Sequence, residues 1–183
     1  LSEGYIEDIK QPVTDYLDGF KYPGFDKITI EHLLNMRSGI DFTESYYNPF
    51  GTMAKFYYGK NLEKYTYDLK VKEPPDLRYD YVSCNPQILA MVLEKATGMT
   101  LPEYLEKKIW MVGGMKYDAL WNLDSEKNKM VKAYGGMNAT ARDFAIFGRL
   151  FLKDGRYNNL QVIPADWVHR SGSIMNDSKD DQG

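Results

Sequence analysis

Tyr81-Val-Ser83 sets a phenol and a hydroxyl two residues apart, just ahead of Asn85-Pro86. On an extended backbone, side chains two residues apart point to the same side. Asn followed by Pro reads as an N-cap and a first helical residue. The N-terminus of a helix carries partial positive charge, which favours a phenolate beside it. A phenol so placed can act as an acid–base group. Taken alone, the pattern does not separate a catalytic Tyr81 from one that packs or faces solvent. The other reactive groups are few. No Ser is followed by Lys three places on, and Thr52-Met-Ala-Lys55 has that spacing with the wrong first residue. There is no Gly-x-Ser-x-Gly elbow, phosphate-binding loop or dinucleotide glycine fingerprint. His32 and His169 are the only histidines and Cys84 the only cysteine, which excludes an internal disulfide and the usual Cys/His zinc spacings. No metal site and no cofactor is expected. Gly113-Gly114 and Gly135-Gly136 read as turn glycines.

The elements that must hold these groups are mostly helical. The chain of 183 residues suffices for one domain or one large part of a domain. No apolar run approaches the ~18 residues of a membrane helix, so no membrane span is expected in this segment. A net charge of -3 gives nucleic acid no electrostatic attraction. The 15 tyrosines could line a cleft, or pack with their hydroxyls turned outward.

Leu1 to Asp8 reads as the tail of a helix, and Pro12, Gly19, Pro23 and Gly24 punctuate an extended surface segment. Thr29 is a good N-cap for a short helix with an Ile28–Leu33 staple and Gly39 as its stop. Residues 41–59 look like a loop or irregular helix, and residues 61–72 are compatible with a helix. Glu73-Pro-Pro-Asp76 is a sharp break. After Pro86, residues Ile88, Leu89, Val92, Leu93 and Ala96 form one apolar face, and Gly98 ends that helix. Thr100-Leu-Pro-Glu103 is a capping box opening a helix to about Trp110. Thr140 caps another, with Phe144, Phe147, Leu150 and Phe151 on one face. A last short helix covers residues 164–170. Residues 171–183 are polar and Asp-rich and read as a mobile tail, separate from a domain spanning 1–170.

Four blocks in fixed order resemble the serine hydrolases of the β-lactamase and penicillin-binding-protein type. They are Ile28-Thr-Ile-Glu-His-Leu-Leu-Asn-Met-Arg-Ser-Gly-Ile40, the segment from Tyr81 to Gly98, Gly135-Gly-Met-Asn-Ala-Thr-Ala-Arg-Asp-Phe-Ala-Ile-Phe-Gly148, and Gln161-Val-Ile-Pro-Ala-Asp-Trp167. Two further segments resemble the 6-aminohexanoate-dimer hydrolase and esterase branch: Glu44-Ser-Tyr46 followed by Pro49, and Asp118-Ala-Leu-Trp-Asn-Leu-Asp124. The resemblance implies the mainly α part of the α+β β-lactamase/transpeptidase-like fold, a helical subdomain with most of the antiparallel sheet missing.

It also implies acyl transfer. In that family a Ser of Ser-x-x-Lys attacks an amide or ester carbonyl, and water then hydrolyses the acyl-enzyme. By resemblance Tyr81 is the catalytic general base or proton shuttle, a task for which nearby cations must favour its phenolate. Ser83 takes the place that Asn holds in the β-lactamases proper, and Tyr46 matches a substrate-covering loop; both are carried over as substrate-binding residues. Trp121 and Asp124 match less specific positions, and packing is the first reading for each. The implied partner is a small amide, ester or peptide. The family's Ser-x-x-Lys and its Lys-Thr-Gly or His-x-Gly triplet are expected outside this sequence, so the chain alone is expected to be inactive. The family also suggests the periplasm or cell envelope. The alternative is a non-catalytic binding module of the same fold, recognising peptidoglycan or a protein partner.

Overall fold

The computed structural model describes residues 1–173. Among them are seven α-helices and two antiparallel two-stranded hairpins, so the described chain is mainly helical. It divides into two compact units. The first comprises Glu3–Gly98 and Asn122–Gly136; the second comprises Met99–Trp121 and the described residues from Met137 onward.

The first unit holds helices α1 (Ile30–Leu34), α2 (Thr52–Tyr58), α3 (Leu62–Tyr67) and α4 (Cys84–Thr97). Thr29 caps α1, and its hydroxyl accepts the N–H of His32. The ring of His32 accepts the N–H of Thr29 through Nδ1 at 3.1 Å, so a histidine completes a reciprocal capping box. Ile28 and Leu33, the expected staple, are both fully buried. The helix ends sooner than expected, at Asn35, because Met36 adopts a left-handed conformation with φ 55°. Gly39 therefore has a different task from stopping α1. Its own φ is +69°, and a Cβ there would lie 2.3 Å from the carbonyl oxygen of Glu73, at the place where residues 39–41 pair with 70–72. Residues 1–8 form turns and bends rather than the end of a helix. The segment expected on the surface contributes Val13, Leu17 and Phe25 to the core, where Phe25 stacks on Phe20 at 3.8 Å. α1 packs against α4, and Ile88 of α4, Phe56 of α2 and Leu62 of α3 are all fully buried.

α4 begins one residue before Asn85. Ser83 is the N-cap, already in a helical conformation, and offers no side-chain cap. Asn85 turns inward and is fully buried. It accepts the Ser38 hydroxyl at 2.7 Å and points its amide at Met36 Sδ, 3.3 Å away. A side chain engaged 47 residues away in sequence cannot also cap its own helix. Pro86 consequently falls at the third helical position, where its missing N–H would have had no intrahelical partner anyway. Gly98 ends the helix with φ 68°.

The second unit holds α5 (Leu101–Leu105), which continues as a wider π-type turn over Glu106–Trp110, then α6 (Ala141–Leu152) and α7 (Ala165–Gly172). Strands β1 (Leu120–Trp121) and β2 (Met137–Asn138) form one hairpin, β3 (Arg156–Tyr157) and β4 (Leu160–Gln161) the other. Thr100 and Glu103 make the expected capping box, and Thr140 caps α6 by accepting the N–H of Asp143. The core here is small: Met115, Leu150, Ile163 and Val168, flanked by half-buried Trp110, Phe147 and Trp167. Gly155 lets β3 leave α6, since with φ +78° a Cβ would meet the Ile163 carbonyl at 1.9 Å. α7 includes Ser171 and Gly172, two residues expected in the tail; residues 174–183 of that tail lie outside the described residues.

Candidate active site

Three neighbouring residues ahead of α4 lie in very different surroundings. Val82 is buried and anchors the segment in the core of the first unit. Tyr81 is 55% exposed, whereas Ser83 is only 4% exposed. The two side chains do not share an open face, contrary to their spacing. Strand-like alternation has ended at Ser83, whose φ of -62° and ψ of -18° belong to the helix. The Ser83 N–H donates to the Glu44 carboxylate, supplied from 39 residues earlier. Glu44 thus satisfies the backbone of an N-cap and brings negative charge to the positive end of α4.

Two residues beyond Glu44 stands Tyr46, 69% exposed. Its ring meets Tyr57 of α2 edge-on, with centroids 6.1 Å apart. Tyr57 meets Tyr134 at 5.7 Å, and Tyr134 meets Phe56 at 5.6 Å. The Tyr134 hydroxyl donates to the Phe56 carbonyl at 2.7 Å. Partial loss of water, and then the charge of Glu44, raise the Tyr46 phenol above its ordinary range; Tyr57 and Tyr81 add smaller effects in the same direction. Burial raises the Tyr134 phenol far more. Glu44 thus stands two residues before Tyr46 and holds the backbone N–H two residues after Tyr81. The raised Tyr46 phenol is thereby suited to donating a hydrogen bond to a carbonyl.

A protein-family model described as Beta-lactamase matches residues 1–183. The chain belongs to the β-lactamase family. The 6-aminohexanoate-dimer hydrolase of Paenarthrobacter ureafaciens is 27% identical over 178 residues, which are 92% of this chain and 45% of that enzyme. A Bacillus anthracis protein provisionally named as a 6-aminohexanoate-dimer hydrolase superposes with a TM-score of 0.81 at 26% identity, covering 92% of this chain and 47% of that one. A D-stereospecific amidohydrolase from a Streptomyces species shares the fold, with a TM-score of 0.66 at 22% identity over 97% of this chain and 61% of that one. The chain thus spans about half the length of the relatives it matches.

Within this β-lactamase-family chain, the other residues noted in the sequence lie in varied surroundings. Asp124 accepts the backbone N–H of Leu62 at 3.0 Å and those of Ser125 and Met130, so it ties the 122–136 segment to the start of α3. Trp121 lies in β1 of the second unit. Cys84 is fully buried, and loss of water pushes its thiol well above the ordinary value, which leaves it inert. His169 faces Asp154 at 3.5 Å on the surface of the second unit. Among the described residues, no group of His, Cys, Asp and Glu is placed to hold a metal ion, and no helix is long and apolar enough to cross a membrane.

Sequence reasoning did not single out Glu44, Tyr57 or Tyr134 as members of this cluster. Glu44 stands within the Glu-x-Tyr loop pattern and could have been found there. Tyr57 and Tyr134 join only through contacts across the folded unit, which no local pattern shows.

Proposed function

We propose that this chain is part of a serine hydrolase that cleaves a small amide, ester or peptide through an acyl-enzyme. The Ser-x-x-Lys nucleophile is supplied by sequence other than this, and the chain alone is inactive. Tyr81 handles the proton. The seryl oxygen forms a bond to the substrate carbonyl carbon, and its proton passes by way of the phenol and lysine pair to the leaving amine or alcohol as the C–N or C–O bond breaks. Water then attacks the acyl carbonyl, the seryl ester C–O bond breaks to free the carboxylic acid, and the proton from water returns through the same pair to the seryl oxygen. Tyr46 covers the substrate and donates a hydrogen bond to it. Ser83 contributes through its place at the N-terminus of α4, its hydroxyl being largely enclosed. The observation that supports this reading best is the exposed Tyr81 phenol just ahead of α4, whose N-cap N–H is held by Glu44 from the loop that carries Tyr46.

The test is covalent labelling. A fluorophosphonate probe should add one label to the natural protein that carries this chain, on a serine outside residues 1–183, and should leave purified 1–183 unlabelled. A label on Ser83, or none on the natural protein, would overturn the proposal.

A further inference from the structure

We propose that Glu44 is a positioning residue of this site, whose carboxylate locks the backbone behind Tyr81 while its own loop carries Tyr46, so that one side chain sets the spacing of the two phenols. The proposal rests on the reading of Tyr81 and Tyr46 as the working phenols. Three observations support it. Glu44 Oε1 accepts the N–H of Ser83, the residue at which the chain turns from coil into α4. Ser83 has no side-chain cap of its own, so Glu44 performs from a distant loop the task that a capping-box glutamate performs within a helix. Glu44 is half-buried, and it lies only two residues from Tyr46, whose ring is held by Tyr57.

The charge of Glu44 has a second consequence. Loss of water is the first cause that favours the protonated Tyr46 phenol, and the charge of Glu44 is the next, with Tyr57 and Tyr81 acting in the same direction. With a neutral side chain at position 44, the Tyr46 phenol ionises at lower pH. A residue that merely stiffened the loop would leave that titration unchanged.

The experiment compares Glu44→Ala, Glu44→Gln and Tyr81→Phe in the natural protein, using p-nitrophenyl ester and anilide hydrolysis together with amide exchange at Ser83. Glu44→Ala should lower kcat by roughly 10²-fold, the scale of a small misplacement of catalytic groups, with a lesser effect on KM. Glu44→Gln keeps an oxygen acceptor and should recover most of kcat, while the alkaline limb of its pH profile moves to lower pH. Ser83 amide exchange should accelerate in Glu44→Ala and stay slow in Glu44→Gln. Wild-type kcat and unchanged Ser83 exchange in Glu44→Ala would overturn the proposal. If Tyr81→Phe is dead but Glu44→Ala is normal, the positioning role fails and the hydrolase reading stands. If the wild type turns nothing over, the hydrolase reading fails, and Ser83 exchange still decides whether Glu44 holds that backbone.

Discussion

The two units of this chain are ordered by different means. The first has an extended core running from Ile9 and Val13 through Phe25, Leu33 and Phe56 to Ile88 and Val131, and it buries polar side chains with their partners in place. Ser38 bonds Asn85, Thr66 bonds the Leu62 carbonyl, and Gln87 accepts the Ala133 N–H at 3.0 Å. Among the described residues, the second unit buries four hydrophobic side chains and leaves Phe144, Phe151 and Leu152 of α6 open. Its helices α5 and α6 are held at their starts by caps, Thr100 with Glu103 and Thr140 with Asp143. The phenols of the candidate site stand on the deeply packed unit. A site that must hold hydroxyl groups in place is best built where rotamers are locked by packing.

The largest stability difference should come from the cores. Phe56→Ala removes a fully buried ring that also contacts Phe42 and Tyr134, and should cost about 3–5 kcal/mol. It should loosen the tyrosine cluster as well, visible as faster amide exchange across α2 and α4. Leu150→Ala in the small core should fall nearer the low end of the 2–5 kcal/mol range typical of such truncations, because a thin core collapses more readily around the gap. Thermal melts of both variants in the natural protein check the order. Equal losses would remove the contrast between the units.

Asp143 is the exception in the second unit, a buried carboxylate among few buried neighbours. The Lys116 N–H, at 2.8 Å, is the main cause holding its carboxyl below the ordinary range; burial opposes this, and the Thr140 hydroxyl and Tyr117 N–H assist. A carboxyl depressed by folding stabilises the fold above its unfolded value, and that contribution is lost as pH falls through the lower folded value. Asp143→Asn should therefore lower Tm at pH 7 and flatten the fall in Tm below about pH 4. A variant melting with the wild-type pH dependence would show that the carboxylate does not hold this unit. The smallest effect expected is that of Thr100→Ala, about 1 kcal/mol for a lost N-cap, read as faster exchange confined to α5.

Local chemistry was the legible part of the sequence. Thr29, Thr100 and Thr140 cap the helices expected of them, and Gly98 ends α4, because capping partners lie within three or four residues. Asn85 misled for the opposite reason, since its partner Ser38 lies far away in sequence. Gly39 was legible as a special glycine but not for its task, which depends on the approach of Glu73. Residues 41–59, irregular as sequence, conceal α2, whose N-cap Gly51 offers no side chain to announce it. At the candidate site Tyr81 and Tyr46 were readable through family blocks. Glu44 shares the loop pattern of Tyr46, but its bond to the Ser83 N–H became apparent only once the first unit was folded.

The claim that Tyr81 handles the proton in an acyl transfer is tested most directly by the steady-state kinetics of Tyr81→Phe in the natural protein. The substitution keeps the ring and removes one hydroxyl from an exposed position, so folding should be unaffected. With p-nitrophenyl esters and a linear amide as substrates, kcat should fall by at least ~10²-fold, the usual effect of losing a positioned acid–base group, while the melting temperature stays at the wild-type value. A kcat within a few-fold of wild type, in a variant that melts normally, would contradict the account.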